Sequence, residues 1–212
     1  MRKAVIFDMD GVLIDSEPFY FKRRMDFFKF KGIQPGSDKF EDYVGNSEKQ
    51  TWEMLIPEDE ITRDRLHREY LHYKQRHGID FSKAIRESVP SVLEQLRVEN
   101  IAIGLASSSP RKEIDQMLSD CKLERYFSYT ISAEELKESK PNPEIYLISR
   151  DALACDDCLA VEDSTLGIAS AKAAGIYTVA LKQGFFMDQS KADIIINAVS
   201  YTHLTLPTIY SV

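Results

Sequence analysis

The stretch Lys3-Ala4-Val5-Ile6-Phe7-Asp8-Met9-Asp10-Gly11-Val12-Leu13 runs from a short apolar segment into two acids spaced two residues apart. A continuous apolar run of this length is the pattern of a strand buried on both faces, as in a parallel sheet covered by helices. Period two keeps the carboxylates of Asp8 and Asp10 near one another where strand gives way to loop. Gly11, directly after them, lets the chain bend around that point.

Further runs of strand length occur at Ile101 to Ala106, Tyr129 to Ser132, Cys158 to Val161, Ile176 to Leu181 and Ala192 to Ala198. Between them lie helical patterns at Val89 to Glu99, Pro110 to Ser119, Pro143 to Ala152 and Thr165 to Ala174, the last closed by Gly175. Strand alternating with helix predicts an α/β fold with a doubly wound parallel sheet. One interval breaks the alternation: residues 16–85 hold no strand-like run but several helical ones, the first opening with Pro18 and stopping at Gly32. The expected organisation is therefore a discontinuous core, 1–15 with 86–198, and an inserted helical cap, 16–85. Gln34-Pro35-Gly36-Ser37 punctuates the cap.

The ends of the later strands carry more polar chemistry: Ala106-Ser107-Ser108, Ser139-Lys140-Pro141-Asn142-Pro143 and Val161-Glu162-Asp163-Ser164. Ligands of such sheets bind at the carboxyl ends of the strands. Ser107 and Ser108 offer hydroxyl and backbone donors for phosphoryl oxygens, and Lys140 offers a charge for phosphate and acid alike. Two carboxylates beside a phosphate dianion repel by about 1 kcal/mol per unit-charge pair at 4 Å even in bulk water. A divalent cation is therefore expected, and oxygen donors suit Mg²⁺ better than zinc. Glu162 and Asp163 would complete its site.

In this order and spacing the motifs resemble the haloacid dehalogenase superfamily, in particular its phosphatases and sugar-phosphate mutases with a helical cap after the first strand. The resemblance runs from Ala4 to about Ala192 and implies roles. Asp8 attacks phosphorus, giving an aspartyl phosphate; Asp10 protonates the leaving group and then activates water. Ser107 and Lys140 hold the phosphoryl group. Asp8, the Asp10 carbonyl and Asp163 bind Mg²⁺, with Glu162 acting through water or orientation. Asp10 also sets the chain apart from the superfamily's dehalogenases and phosphonate-cleaving members, which lack this second aspartate.

The expected activity is hydrolysis of a small phosphorylated metabolite, a sugar phosphate above all, with a β-phosphoglucomutase-type mutase as the alternative and a non-catalytic phosphate-binding protein as the contrasting class. The mutase pattern has a cap histidine and a cap arginine where Tyr20 and Glu48 align here; an acid there would repel a second substrate phosphate, so phosphatase is placed ahead. Tyr20 and Glu48 are the candidate substrate contacts of the cap.

Composition narrows the partners. The chain has 212 residues, a formal net charge of -7 and three cysteines. No basic stripe suits a nucleic acid backbone, and no run approaches the roughly 18 apolar residues of a membrane span. A cytoplasmic protein, monomer or weak dimer, is expected. Cys155-x-x-Cys158 lacks a second pair and reads as ordinary packing. His67, His72 and His77 recur every five residues, which scatters them around a helix and suggests solvated positions. The aromatic residues Phe19, Phe21, Phe27, Phe28 and Phe30 read as cap core, and Arg23 and Arg24 as a solvated face. Finally, the segment from Val199 to Thr208 resembles a translated transposase-type sequencing adapter, so 199–212 is expected to be a non-native tail in place of a terminal helix.

Overall fold

The computed structural model describes residues 3–197. The suspected tail and Ala198 lie outside them. The chain divides into two compact units, residues 1–15 with 81–212, and residues 16–80. The division thus falls after Asp80, so that Phe81 to Ile85 go with the larger unit instead of the helical one.

The larger unit holds six strands: β1 (Lys3–Phe7), β2 (Ala102–Ser107), β3 (Tyr129–Ser132), β4 (Asp157–Glu162), β5 (Tyr177–Leu181) and β6 (Ile194–Ile196). They form one sheet in the order β3-β2-β1-β4-β5-β6, every neighbouring pair parallel. β1, β2 and β4 are buried along nearly their whole length, which is why their sequences are apolar without alternation. Register lines up the strand ends: Phe7 pairs with Leu105 on one side and Val161 on the other, and Ser107 pairs with Ser132. The acids and serines that follow these residues therefore leave the sheet at one edge.

In chain order the helical unit holds α1 (Glu17–Lys31), α2 (Glu48–Leu55) and α3 (Glu60–Arg76), and the larger unit α4 (Val89–Val98), α5 (Arg111–Cys121), α6 (Glu144–Ala152) and α7 (Thr165–Ala173), these last four packing on its own sheet. Ala4, Ile6 and Ala160 on one sheet face pack with Ile145, Tyr146 and Leu153 of the α6 region and with Ala171 of α7. Cys155 and Cys158 belong to the same cluster, and here the expectation of plain packing is corrected. Their Cα atoms are 6.1 Å apart, within bridging reach, and the sulfurs are joined. Cys121 is a free thiol.

In the helical unit α1 has Pro18 in its first turn and Gly32 as a left-handed C-cap whose N–H reaches Lys29 and Phe28 carbonyls. A capping box of Ser47 and Gln50 opens α2, and Asp59 caps α3. The core of this unit is five aromatic residues, Phe27, Phe28, Tyr43, Trp52 and Tyr70, with Leu55 and Leu66. One aromatic expectation fails: Phe30, in the last turn of α1, is 73% exposed, its ring only flanking that of Tyr73 at 5.8 Å. His72 and His77 are exposed, as expected, and His67 is half-buried, its ring tilted against Trp52 with centroids 4.8 Å apart, while the exposed His77 ring stacks on Tyr73 at 3.7 Å. Among the described residues no helix is long and apolar enough to cross a membrane.

Candidate active site

Asp8 leaves the end of β1 with its N–H donating to the Val161 carbonyl at 2.9 Å, one step beyond the strand ladder. Its side chain is nearly buried. Lys140 is the hub of the site: its ammonium donates to Asp8 Oδ1 at 2.5 Å, to Glu162 Oε1 at 2.7 Å and to the Ala106 carbonyl at 2.9 Å. Glu162 is fully buried and accepts a second bond at Oε1 from the Tyr146 hydroxyl at 2.5 Å. Its other oxygen faces the Asp163 N–H at 3.3 Å and the Ser164 hydroxyl at 3.4 Å.

Ligand oxygens of Asp8, Glu162 and Asp163 lie within 4.8 Å of one another. Asp163 fits against Gly11, whose φ is +75° and whose missing Cβ would stand 1.9 Å from Asp163 Oδ2. Gln189 holds the Asp163 carbonyl at 2.6 Å. Asp10 accepts from the Ser109 hydroxyl at 2.6 Å, and the Ser109 N–H donates to Ser107 Oγ at 3.0 Å. Ser108 pairs with Ser139, hydroxyl to hydroxyl, at 3.4 Å.

The electrostatics follow from crowding. Burial, then the Glu162 and Asp10 charges, push the Asp8 carboxyl up to about 8 even though Lys140 pulls it down. Burial and the charges of Asp8 and Glu162 likewise push Asp163 well up. Burial works against the Lys140 charge, but Asp8 and Glu162 outweigh it and keep the amine above its ordinary value. One ammonium thus faces three close carboxylates, and the donors are all hard oxygens. That donor set fits a small divalent cation such as Mg²⁺.

Four of the residues expected from sequence, Asp8, Lys140, Glu162 and Asp163, are therefore in one cluster, with Asp10 and Ser107 linked to each other through Ser109. Tyr20 and Glu48 belong to the helical unit. There Glu48 accepts from Arg24 at 3.0 Å and from the Trp52 indole at 3.0 Å, with His67 at 3.3 Å. Burial works to raise the Glu48 carboxyl, but Arg24 and Trp52 outweigh it and hold it below its ordinary value. The acid is thus matched by a cation instead of standing as the bare charge expected to repel phosphate.

Sequence reasoning missed Ser109, Tyr146 and Gly167. Ser109 had a signal, being the third of the run Ser107-Ser108-Ser109; Tyr146 had none, because only the packing of α6 brings it to Glu162. Gly167 lies in the first turn of α7, donating to its N-cap Ser164 at 3.0 Å, and a Cβ there would stand 2.0 Å from Glu162 Oε2. An ordinary helical Gly→Ala change stabilises by up to about 1 kcal/mol. Gly167→Ala is expected to have the opposite sign and to destabilise by about 1–3 kcal/mol through overpacking against a carboxylate. Thermal unfolding of the variant checks this, a raised midpoint being the contrary result.

Residues 5–181 match the family model of the haloacid dehalogenase-like hydrolases. The chain is 33% identical to the phosphorylated carbohydrates phosphatase of Thermotoga maritima, with 82% of each chain covered. It is 30% identical to the beta-phosphoglucomutase of Bacillus subtilis over 96% of this chain and 93% of the other. The solved beta-phosphoglucomutase of Clostridium difficile shares the fold, with a TM-score of 0.69, 24% identity and 96% of each chain covered. With the parallel sheet and the acid-lysine cluster at its carboxyl edge, these matches make the chain an enzyme of the haloacid dehalogenase-like hydrolase family.

Proposed function

We propose that this enzyme is a Mg²⁺-dependent phosphatase of small phosphorylated carbohydrates that works through an aspartyl phosphate on Asp8. The observation that carries the reading is the Lys140 ammonium bonded at once to Asp8 Oδ1 and Glu162 Oε1. A lysine so placed keeps one Asp8 oxygen oriented, leaving the other to attack phosphorus, and neutralises charge as the phosphoryl group arrives. Asp10 protonates the departing alkoxide and later takes a proton from water, its carboxylate held in place by Ser109. Ser107 and neighbouring N–H groups receive the phosphoryl oxygens.

Asp8, Asp163 and the Asp10 carbonyl would hold Mg²⁺. Glu162, whose oxygens already serve Lys140, Tyr146, Asp163 and Ser164, orients the others. When bound, the cation supplies charge neutralisation for the transferred phosphoryl group and lowers the Asp8 carboxyl from its raised value. The two named relatives support a phosphorylated carbohydrate as the substrate class.

The test is phosphate release from an aryl phosphate. Chelation should cut the rate by about a hundredfold or more, and added Mg²⁺ should restore it. Unchanged release in the chelator would remove the cation from the account.

A second reading, a sugar-phosphate mutase, is favoured by one observation. Glu48 is matched by Arg24, so the charge that argued against a second phosphate in the cap is offset. With β-glucose 1-phosphate and a trace of the bisphosphate, the phosphatase reading expects free glucose, and glucose 6-phosphate without hydrolysis would replace it by the mutase.

A further inference from the structure

Two glutamines of the segment after β5, Gln183 and Gln189, bind backbone carbonyls beside the acids of the larger unit. Gln189 is 6% exposed, and its Nε2 donates to the Asp163 carbonyl at 2.6 Å and to the Leu181 carbonyl at 2.8 Å. Gln183 is half-buried. Its Nε2 donates to the Gly11 carbonyl at 2.9 Å and to the same Leu181 carbonyl at 3.3 Å, while its Oε1 accepts from Arg86 at 3.1 Å. Leu181 ends β5, the strand next to β4. Two amides thus meet at one strand end, and each reaches a different acidic loop. The segment is itself tied down, since the Asp188 carbonyl accepts from the Thr165 hydroxyl at 2.8 Å.

Those two loops are the ones with the oxygen donors: Asp8 to Gly11 after β1, and Glu162 with Asp163 at the end of β4. The Gly11 N–H donates to the Ile14 carbonyl at 2.8 Å, so with Gln183 on its carbonyl this residue is held through both of its peptide groups. The Asp10 carbonyl shares the plane of the first of them and is fixed with it. Asp163, fitted against Gly11, has its own carbonyl fixed by Gln189. An amide –NH₂ serves two carbonyls from one atom, whereas the carboxylate of glutamate or the thioether of methionine donates to neither. Unclamped, carboxylates that repel one another would draw apart, and the ligand set would have to be gathered at the moment of binding. We infer that Gln183 and Gln189 are positioning residues of the metal site: joined at the Leu181 carbonyl, they hold the Asp10–Gly11 and Asp163 backbones at a spacing ready for a small divalent cation. This rests on the Mg²⁺ reading of the site and is independent of which phosphate ester is the substrate.

The test measures Mg²⁺ binding to the full chain by calorimetry, without substrate, alongside thermal melting in chelator and at one fixed Mg²⁺ concentration. Gln189→Met keeps the length of the side chain and removes both donated bonds. It should weaken Mg²⁺ binding by about tenfold or more, with a smaller rise in melting temperature when the ion is added. Gln183→Met should act in the same direction. A merely structural role would lower the melting temperature equally in chelator and in Mg²⁺ and leave the dissociation constant unchanged, and that result overturns the inference. Should Gln189→Met lose its fold, the half-buried Gln183 decides: weakened Mg²⁺ binding by Gln183→Met supports the inference and unchanged binding overturns it. A wild-type chain that binds no Mg²⁺ refutes the cation reading and this inference with it. Wild type and both variants binding the ion equally well refute this inference alone.

Discussion

Asp8→Asn is expected to lose phosphate release by about three orders of magnitude or more, since the nucleophile itself is removed, while the fold is kept. Asparagine has the same shape and still accepts from the Lys140 ammonium, so the position stays filled. The stability readout separates a chemical role from a structural one. Asp8 is an acid raised from its ordinary value to about 8, by burial first and then by its acidic neighbours, against the pull of Lys140. A carboxyl that holds its proton more tightly folded than unfolded costs stability as pH rises from about 4 to about 8, because the unfolded chain releases the proton first. Asparagine does not ionise, so in a chelator at pH 8 the variant should melt no lower than the wild type. A variant that keeps its activity, or that loses it only together with its fold, would contradict the role given to Asp8.

Lys140→Met is the second large effect, and it strikes both stability and rate. The side chain is 5% exposed and bridges Asp8 and Glu162. Removing it strands buried carboxylates without a counter-charge, a loss of about 3–5 kcal/mol. The pH dependence fixes the cause. With the cation gone, Asp8 and Asp163 bind protons still more tightly in the fold than in the unfolded chain, so stability should recover as pH falls from 8 toward 5. Added Mg²⁺ should also recover part of it, as any ligand of the native state does. A melting point equally depressed at pH 5 and pH 8 would mean that Lys140 acts through packing alone. Activity should fall by about a hundredfold or more even where stability is restored, because orientation and neutralisation both go.

The core was legible from sequence for a physical reason. Parallel strands covered on both faces must be continuously apolar, and runs such as Lys3 to Phe7 have no competing reading once helices alternate with them. Asp8, Glu162 and Asp163 were legible because they end a buried strand or directly follow one, and Lys140 because it stands in the polar run Ser139-Lys140-Pro141-Asn142-Pro143 ahead of α6. The sheet edge was less so: β6 spans only Ile194–Ile196, flanked by Asp193 and Asn197, within the longer run read from Ala192 to Ala198.

What sequence could not supply depends on packing between distant segments. Tyr146 reaches Glu162 only after α6 is laid on the sheet, and the need for Gly167 appears only when the Glu162 side chain turns under α7. In the helical unit an all-round aromatic composition gives no periodic face. Phe30 was therefore assigned to the core it does not join, and Arg23, buried at 8%, to the surface. The Cys155–Cys158 bond depends on the path of the chain between the two cysteines, which no residue type announces.

The most direct test of the account is to find where the phosphoryl group rests during turnover. Asp10→Asn, which slows its release, is incubated with an aryl phosphate and Mg²⁺, quenched in acid, reduced with borohydride and analysed by peptide mass spectrometry. The account predicts conversion of residue 8 to homoserine, dependent on both phosphate ester and metal. A modified Ser107, or an unmodified Asp8 in enzyme that still completes turnover under these conditions, would contradict it.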